Sequence, residues 1–184
     1  MHCILRTFKN SLDINTMDEG VQIIFRGMQF DDLLDVQTLN IRNSTENFML
    51  STFLSTLHES RNTSFVAESC GCIIAYIEAV ACEQEMEGHI YSLCVDQCFR
   101  GIGIGKKLIS LYLQAIKQEL CTGSGYCVNN KESTYIERIK VDLHVSVTNL
   151  NAINLYKLFG FLIEEQEIPY YENNGLAHRM CLWI

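Results

Sequence analysis

Apolar residues recur along this chain with two different periods, and the changes of period divide the chain into elements. Alternating apolar and polar residues predict strands, whereas apolar residues three or four positions apart predict helices. The predicted strands cover residues 21–25, 64–68, 73–81, 89–95, 139–147, 161–168 and 178–184. The predicted helices cover residues 31–39, 48–57, 108–120 and 149–158. The resulting order, βααβββαβαββ, indicates an α+β, or mixed α/β, fold.

The length of 184 residues suits one domain with a sizeable core. We expect that single domain over residues 21–184. Residues 1–20 carry scattered charges and no continuous apolar segment, so they are not a signal peptide and are expected to form a poorly ordered N-terminal extension. Residues 121–133 are polar and rich in Gly and Asn, which predicts a surface insertion.

The overall charge limits the partners that the chain can bind. A formal net charge of −8 disfavours binding to nucleic acid or to an anionic membrane, so neither is expected. The nine cysteines include no C-x-x-C pair and no Cys/His set with zinc spacing, which predicts reduced thiols, a cytoplasmic location and no bound metal. No uncharged apolar window of about 18 residues occurs, so no membrane span is predicted.

A glycine-rich stretch lies between the predicted strand 89–95 and the helix that follows it. Its three glycines alternate with two isoleucines, and basic residues flank them in an otherwise acidic chain. Glycine lets the backbone approach a ligand closely, and a helix N-terminus offers unpaired N–H groups to an anion. The stretch is therefore a candidate phosphate cradle. Its members are Arg100, Gly101, Ile102, Gly103, Ile104, Gly105 and Lys106.

The spacing of this stretch excludes two common phosphate loops. A Walker loop needs G-x-x-x-x-G-K-[ST], but here Gly105 follows Gly101 too closely and Lys107 replaces the hydroxyl residue. The dinucleotide fingerprint needs a glycine at position 106, which is Lys106. On this segment alone, a glycine-rich turn without any ligand is the alternative.

Two motifs together resemble the GNAT acetyltransferases. Arg100, Gly103 and Gly105 match the family's [R/Q]-x-x-G-x-[G/A] loop, and Asn149-x-x-Ala152-x-x-x-Tyr156 matches its N-x-x-A-x-x-x-Y motif. The resemblance implies a GNAT fold, in which a central, mostly antiparallel, splayed sheet is flanked by helices. It also implies that the loop amides hold the pyrophosphate of acetyl-CoA, the cosubstrate. Considered separately, Asn149 could be an ordinary helix cap and Tyr156 an ordinary core tyrosine.

The resemblance implies roles for further residues along the cofactor. The backbone of the strand segment Leu93, Cys94 and Val95 would line the cleft, and the Val95 N–H would polarise the acetyl carbonyl. Asn149 would bind the pantetheine arm or a nearby backbone group. Tyr156 would lie beside the thioester sulfur and protonate the leaving thiolate.

More narrowly, the chain resembles the catalytic subunits of protein N-terminal acetyltransferases. The segments carrying this likeness are 45–48 (TENF), 88–95 (GHIYSLCV), 141–149 (VDLHVSVTN) and 169–171 (PYY). The NatB-type subunit is the nearest match and the NatA type the next, although both usually have Arg where this chain has Ser146. The resemblance implies acetylation of the α-amine of protein N-termini. It also implies a helical-repeat auxiliary subunit and ribosome association.

The same resemblance supplies candidate catalytic and substrate-binding residues. Glu46 and His89 are the candidate general bases, and His144, on the polar face of its strand, is a weaker third. Each could instead have a purely structural role. The expected contacts with the peptide come from Glu46, Phe48, His144, Tyr170 and Tyr171.

Two other functions remain open at this point. The chain could be an acetyltransferase for lysine, polyamines or other small amines. It could also be a non-enzymatic module that keeps the fold and holds CoA as a structural ligand, or holds none.

Overall fold

The computed structural model describes residues 22–43, 50–58, 63–123, 138–171 and 174–184. The predicted extension 1–20 lies outside these ranges, as do Glu46 and Phe48. The strands are β1 (Ile23–Gly27), β2 (Phe65–Ser69), β3 (Cys72–Cys82), β4 (Glu87–Val95), β5 (Lys140–Ser146), β6 (Leu162–Tyr171) and β7 (Gly175–Trp183). The α-helices are α1 (Leu33–Asn43), α2 (Leu50–His58), α3 (Ile104–Gly123) and α4 (Leu150–Leu158). The predicted order of elements is confirmed.

The seven strands form one sheet in the order β1-β2-β3-β4-β5-β7-β6. Every neighbouring pair is antiparallel except β4 and β5, which are parallel. The parallel pairing joins Glu87–Ile90 to Lys140–Leu143 and stops there, although both strands continue. The two strands therefore separate toward their carboxyl ends, which confirms a mostly antiparallel sheet that is splayed at its centre.

Two predicted boundaries at the end of the chain are wrong. The strand expected over 161–168 continues through Pro169 to Tyr171, and the last strand begins at Gly175 instead of residue 178. β6 is an edge strand of the sheet. A proline can lie in an edge strand because its missing N–H can face away from the neighbouring strand.

The third helix is also longer than predicted. It reaches Gly123, so residues 121–123 of the expected surface insertion are helical, while 124–137 lie outside the described residues. The polar composition of this stretch suggested a loop, but residues 121–123 contain no proline, so nothing in them forces the helix to stop at residue 120.

Helices cover the sheet on both faces and form two apolar clusters. On one face, the buried side chains of α3, including Leu108 and Tyr112, pack with residues of β3, β4 and β5. At Gly88 the helix α3 approaches the sheet closely, since a Cβ atom there would collide with Tyr112 and Ile116. On the other face, α1 and α2 pack on Tyr76 and neighbouring residues.

A bulge in β4 changes which residues face the α1–α2 side. Glu78 pairs with Ser92 but the next residue of β3, Ala79, pairs with Ile90, so Tyr91 is the extra residue. Ser92 Oγ lies 2.9 Å from the hydroxyl of Tyr76, on the α1–α2 side. Polar side chains of β4 thereby collect on this face, next to the opening between β4 and β5.

Within the described ranges, no helix combines the length and the apolar character needed to cross a membrane.

Candidate active site

The glycine-rich stretch forms a tight turn leading into α3. Gly101 and Gly103 have φ values of 86° and 92°, which favour glycine over other residues. Lys107 N–H donates to Gly103 O at 3.0 Å, so the helical ladder begins at Gly103. The N–H groups of the first turn therefore have no intrahelical acceptor, and the positive end of the helix dipole lies beside them.

The space around this turn suits an anionic group. A Cβ atom at Gly101 or Gly103 would meet nothing within 4 Å, so the turn is open above both residues. Gly105 is different, because a Cβ there would lie 3.2 Å from Leu155 of α4. The absence of a side chain at Gly105 thus lets α3 and α4 approach each other beside the opening between β4 and β5.

Arg100 contacts protein backbone at the entrance to the turn. Its Nε donates to Val95 O at 2.9 Å and its Nη2 to Asn43 O at 3.4 Å. The side chain is exposed and fixes the end of β4 against the end of α1. Its contact with pyrophosphate stays a prediction.

The other predicted cofactor residues lie on β4 and next to or within α4, and their contacts differ. Leu93 and Val95 pack against the α3-side cluster, whereas the Cys94 side chain belongs to the α1–α2 cluster. Asn149 caps α4, since its Oδ1 accepts from Ala152 N–H at 3.2 Å. Tyr156 is buried on α4 with its ring edge-on to Phe161. Ser146, in place of the usual arginine, lies 3.0 Å from the Thr148 hydroxyl.

Aromatic and histidine rings cluster where β4 and β5 separate. The His89 ring centroid lies 5.9 Å from that of His144 and 4.6 Å from that of Tyr91. The His144 ring stacks on Tyr170 at 4.1 Å with an interplanar angle of 12°, and Tyr171 stands edge-on to Tyr170. The structure thus brings together four of the residues predicted for base and substrate roles.

Asp142 of β5 connects this ring cluster to Arg179 of β7. Asp142 Oδ1 is hydrogen-bonded to His89 Nδ1, and Oδ2 accepts from Arg179 Nε at 3.0 Å. Burial alone would raise the pKa of Asp142, but the bonds from His89 and Arg179 outweigh it and hold that pKa at about 2. Asp142 is therefore ionised across the physiological range.

His144 has a less polar environment than His89. Its Nδ1 is buried and has no hydrogen-bond partner among the described residues. Burial, followed by the nearby His89 imidazole, lowers the pKa of His144 below its ordinary value. A neutral imidazole is the favoured form of His144 near pH 7.

Residues 29–161 match the model of the acetyltransferase (GNAT) family. This chain belongs to that family. It is 32% identical to the N-terminal acetyltransferase complex ARD1 subunit homolog of Dictyostelium discoideum, over 88% of this chain and 73% of the relative. It is 30% identical to the N-terminal acetyltransferase A complex catalytic subunit NAA10 of Arabidopsis thaliana, over 86% of this chain and 76% of the relative.

Solved structures share the fold of this GNAT chain. The crystal structure of Ard1 from Thermoplasma volcanium aligns with a TM-score of 0.73 and 22% identity, over 89% of this chain and 99% of the other. Arabidopsis thaliana Naa50, solved in complex with the bisubstrate analogue CoA-Ac-MVNAL, aligns with a TM-score of 0.67 and 21% identity, over 88% and 99%. The predicted GNAT fold is confirmed, and the chain is an acetyl-CoA-dependent acetyltransferase.

Three charged residues of the sheet, Asp142, Arg179 and Glu78, were not assigned a role from sequence. Asp142 lies two positions before His144, and strand alternation places both on one face of β5. That pattern was visible in the sequence, but the contact of Asp142 with Arg179 was not, because β7 pairs with β5 although it is far from it along the chain. Glu78 is the single charge in the apolar run of β3, which is itself a signal.

Glu78 is a fully buried carboxyl group on the α1–α2 side of the sheet. Its Oε1 accepts from Thr56 Oγ1 at 2.7 Å, while Oε2 is buried with no hydrogen-bond partner among the described residues. Burial raises the pKa of Glu78 to about 7, and the Thr56 bond only partly offsets this effect. The Glu78 carboxyl group therefore gains or loses its proton near neutral pH.

We predict that Glu78→Gln removes a pH-dependent loss of stability. The folded protein binds the Glu78 proton more tightly than the unfolded chain does, because its pKa rises from an ordinary 4.5 to about 7. The free energy of unfolding of the wild type should therefore fall by roughly 3 kcal/mol as pH rises through this interval. The variant should gain in melting temperature relative to wild type between pH 5 and pH 8, on the order of several degrees.

The matched control is Glu85→Gln, in the exposed turn between β3 and β4. Its melting temperature should follow that of the wild type at every pH. A Glu78→Gln protein whose difference from wild type stays constant with pH would contradict the raised pKa.

Proposed function

We propose that this chain is an N-α-acetyltransferase that transfers acetyl from acetyl-CoA to the α-amine of protein N-termini. The observation that carries the proposal is the cluster of His89, His144, Tyr170 and Tyr171 beside the opening between β4 and β5. The names of the curated relatives, N-terminal acetyltransferase subunits, support the same reaction.

The chemistry needs only modest help from a base. An α-amine has a pKa of about 7.7–8.0, so an appreciable part is neutral near pH 7. Acetyl-CoA supplies an acetyl thioester, whose carbonyl carbon the amine nitrogen attacks. His89 then accepts the amine proton, and the thioester C–S bond breaks. Glu46 stays a predicted second base outside the described residues.

The remaining predicted residues bind and orient the two substrates. The amides of 101–106 bind the diphosphate, the Val95 N–H stabilises the developing oxyanion, and Tyr156 protonates the leaving thiolate. Tyr170 and Tyr171 hydrogen-bond the backbone of the first two peptide residues. Gly175 supports this hairpin, because a Cβ there would lie 2.8 Å from Tyr171 Cβ.

For peptide specificity we propose a NatB-like preference for Met followed by Asp, Glu, Asn or Gln. The basis is the likeness to NatB-type subunits at residues 25–26, 31–33, 40, 45–46 and 66–68. A NatA-like preference for small first residues is the second candidate, favoured by the relative named as a catalytic subunit of the A complex. A GNAT acetyltransferase for lysine or small amines is the third.

A peptide panel distinguishes these specificities. We expect acetyl transfer from acetyl-CoA to a peptide beginning Met-Asp or Met-Asn, seen as one added acetyl group by mass spectrometry. Ser-Glu, Met-Leu and an internal lysine behind a blocked N-terminus should react much more slowly. A preference for Ser-Glu would replace the NatB-like proposal with the NatA-like one, and acetylation of the internal lysine alone would overturn both.

The cofactor loop is tested by Gly103→Asp. Its carboxylate would repel the diphosphate, so we expect a loss of acetyl-CoA affinity of at least about 100-fold, measured by calorimetry. Gly71→Asp is the matched control, because Gly71 also has a positive φ of 73° and open space around it, but lies in the β2–β3 turn. It should bind acetyl-CoA as the wild type does.

Tyr156→Phe separates the chemical step, measured as peptide turnover, from acetyl-CoA binding, measured by calorimetry. The variant should keep acetyl-CoA affinity and lose turnover, because only the proton donor is removed. Unchanged turnover would exclude Tyr156 as the acid.

We also propose that α1 binds the helical-repeat auxiliary subunit that links such enzymes to cytoplasmic ribosomes. Leu34 and Ile41 are 69% and 60% exposed and lie seven residues apart, on one face of α1. Phe30, 56% exposed, precedes them in the chain. Exposed apolar side chains grouped in this way favour a protein interface.

Leu34→Asp should abolish co-elution with the co-expressed auxiliary subunit of the same organism in size-exclusion chromatography. Leu158→Asp is the control, since Leu158 is equally exposed but lies on α4. Loss of co-elution with both variants, or with neither, would contradict docking on α1.

A further inference from the structure

Two histidines lie near the proposed acceptor site, but only one of them has a charged partner. His89 Nδ1 is bound to Asp142, whereas His144 Nδ1 has no hydrogen-bond partner among the described residues. The partner of His89 is in turn held by Arg179 through two nitrogen atoms, with Nε at 3.0 Å and Nη2 at 2.9 Å from Oδ2. We propose that Asp142, oriented by Arg179, is a positioning residue that fixes the tautomer of His89 for acetyl transfer.

The direction of the hydrogen bond follows from the charge on Asp142. An ionised carboxylate can only accept hydrogen bonds, and Arg179 can only donate them. The proton between Asp142 and His89 must therefore belong to His89 Nδ1. In the neutral imidazole this leaves Nε2 with its lone pair, and the described residues form no hydrogen bond to Nε2.

This arrangement suits a base that receives one proton per turnover. Nε2 accepts the proton of the attacking amine, and the imidazolium that forms is stabilised by the adjacent Asp142 carboxylate. The groups that face His89 are Tyr91 on its own strand, Asp142 and His144 on β5, and Arg179 on β7. Asp142 is the only anion among these four, so it supplies the attraction that a positive His89 needs.

Arg179 is held in place by the edge strand. Its Nη1 donates to Glu165 Oε1 at 3.0 Å and approaches Glu164 Oε2 at 3.6 Å. The chain of contacts thus runs from β6 through Arg179 and Asp142 to His89. Because Arg179 already has these anions, its orientation does not depend on Asp142 alone.

The test exchanges one atom of the carboxylate. In Asp142→Asn, the amide oxygen should turn toward Arg179, which can only donate, and the amide NH2 should then face His89 Nδ1. That nitrogen must become an acceptor, so the ring proton moves to Nε2, where it blocks proton uptake. The change is close to isosteric, so the packing around residue 142 should be preserved.

Ring ¹⁵N spectra of the full-length protein read the tautomer directly, and loss of signals in His89→Gln assigns them. At a pH where the imidazole is neutral, wild-type His89 should carry its proton on Nδ1, and Asp142→Asn should move it to Nε2. The kcat for the accepted peptide should fall by about 100-fold, while the KM for acetyl-CoA stays close to wild type. Glu85→Gln, which replaces an exposed carboxylate outside this chain of contacts, should keep the wild-type tautomer and kcat.

If the wild-type spectrum shows the proton of neutral His89 on Nε2, the proposal is wrong, and this result needs no variant of Asp142. An Asp142→Asn protein with wild-type kcat would also overturn the proposal. The inference rests on the proposed function only for its kinetic part, because the spectra need neither peptide nor acetyl-CoA. If no peptide is acetylated and the tautomer is as expected, the proposed reaction fails while the Asp142–His89 assignment stands.

Discussion

The separation of β4 from β5 is the constraint on which the rest of the site depends. Parallel pairing ends at Ile90 and Leu143, so backbone and side chains beyond that point face an opening instead of a neighbouring strand. The bulge at Tyr91 then turns both Tyr91 and Ser92 toward the α1–α2 side. The glycine turn that follows β4 and the N-terminus of α4, which follows β5, lie at the same opening. One break in the sheet thus provides the opening in which we propose that acetyl-CoA and the acceptor amine bind.

The order of elements could be predicted because it depends on local periodicity. β5 alternates buried and half-buried residues along its whole length, as its sequence predicts. Turn chemistry also supports the glycine loop, since Gly101 and Gly103 have the positive φ values that their residue type suggests. The prediction was wrong where context overrides a local signal. Pro169 reads as the end of a strand, but it lies in an edge strand, whose outer side needs no ladder bonds.

The contacts within the site could be predicted only in part. His89 and Asp142 are 53 positions apart, and Arg179 is 37 positions beyond Asp142. No periodicity connects such residues, because their meeting depends on the register of three strands. The family motifs predicted that His89, His144, Tyr170 and Tyr171 share one site, since each lies in a segment with a recognisable pattern, and the structure brings their rings together. Asp142 and Arg179 were assigned no role by these motifs, and their contact with each other and with His89 is seen only in the assembled sheet.

Two carboxyl groups on the same sheet show how the fold assigns opposite properties to one kind of side chain. Glu78 is buried beside a neutral hydroxyl, so its charge is unfavourable and its pKa rises to about 7. Asp142 is only half buried and lies between a histidine and an arginine, so its pKa falls to about 2. Groups whose environments separate their pKa values in this way are suited to different tasks. The ionised Asp142 can hold and orient a proton on its neighbour, whereas the proton-binding Glu78 links the packing of α2 on the sheet to pH.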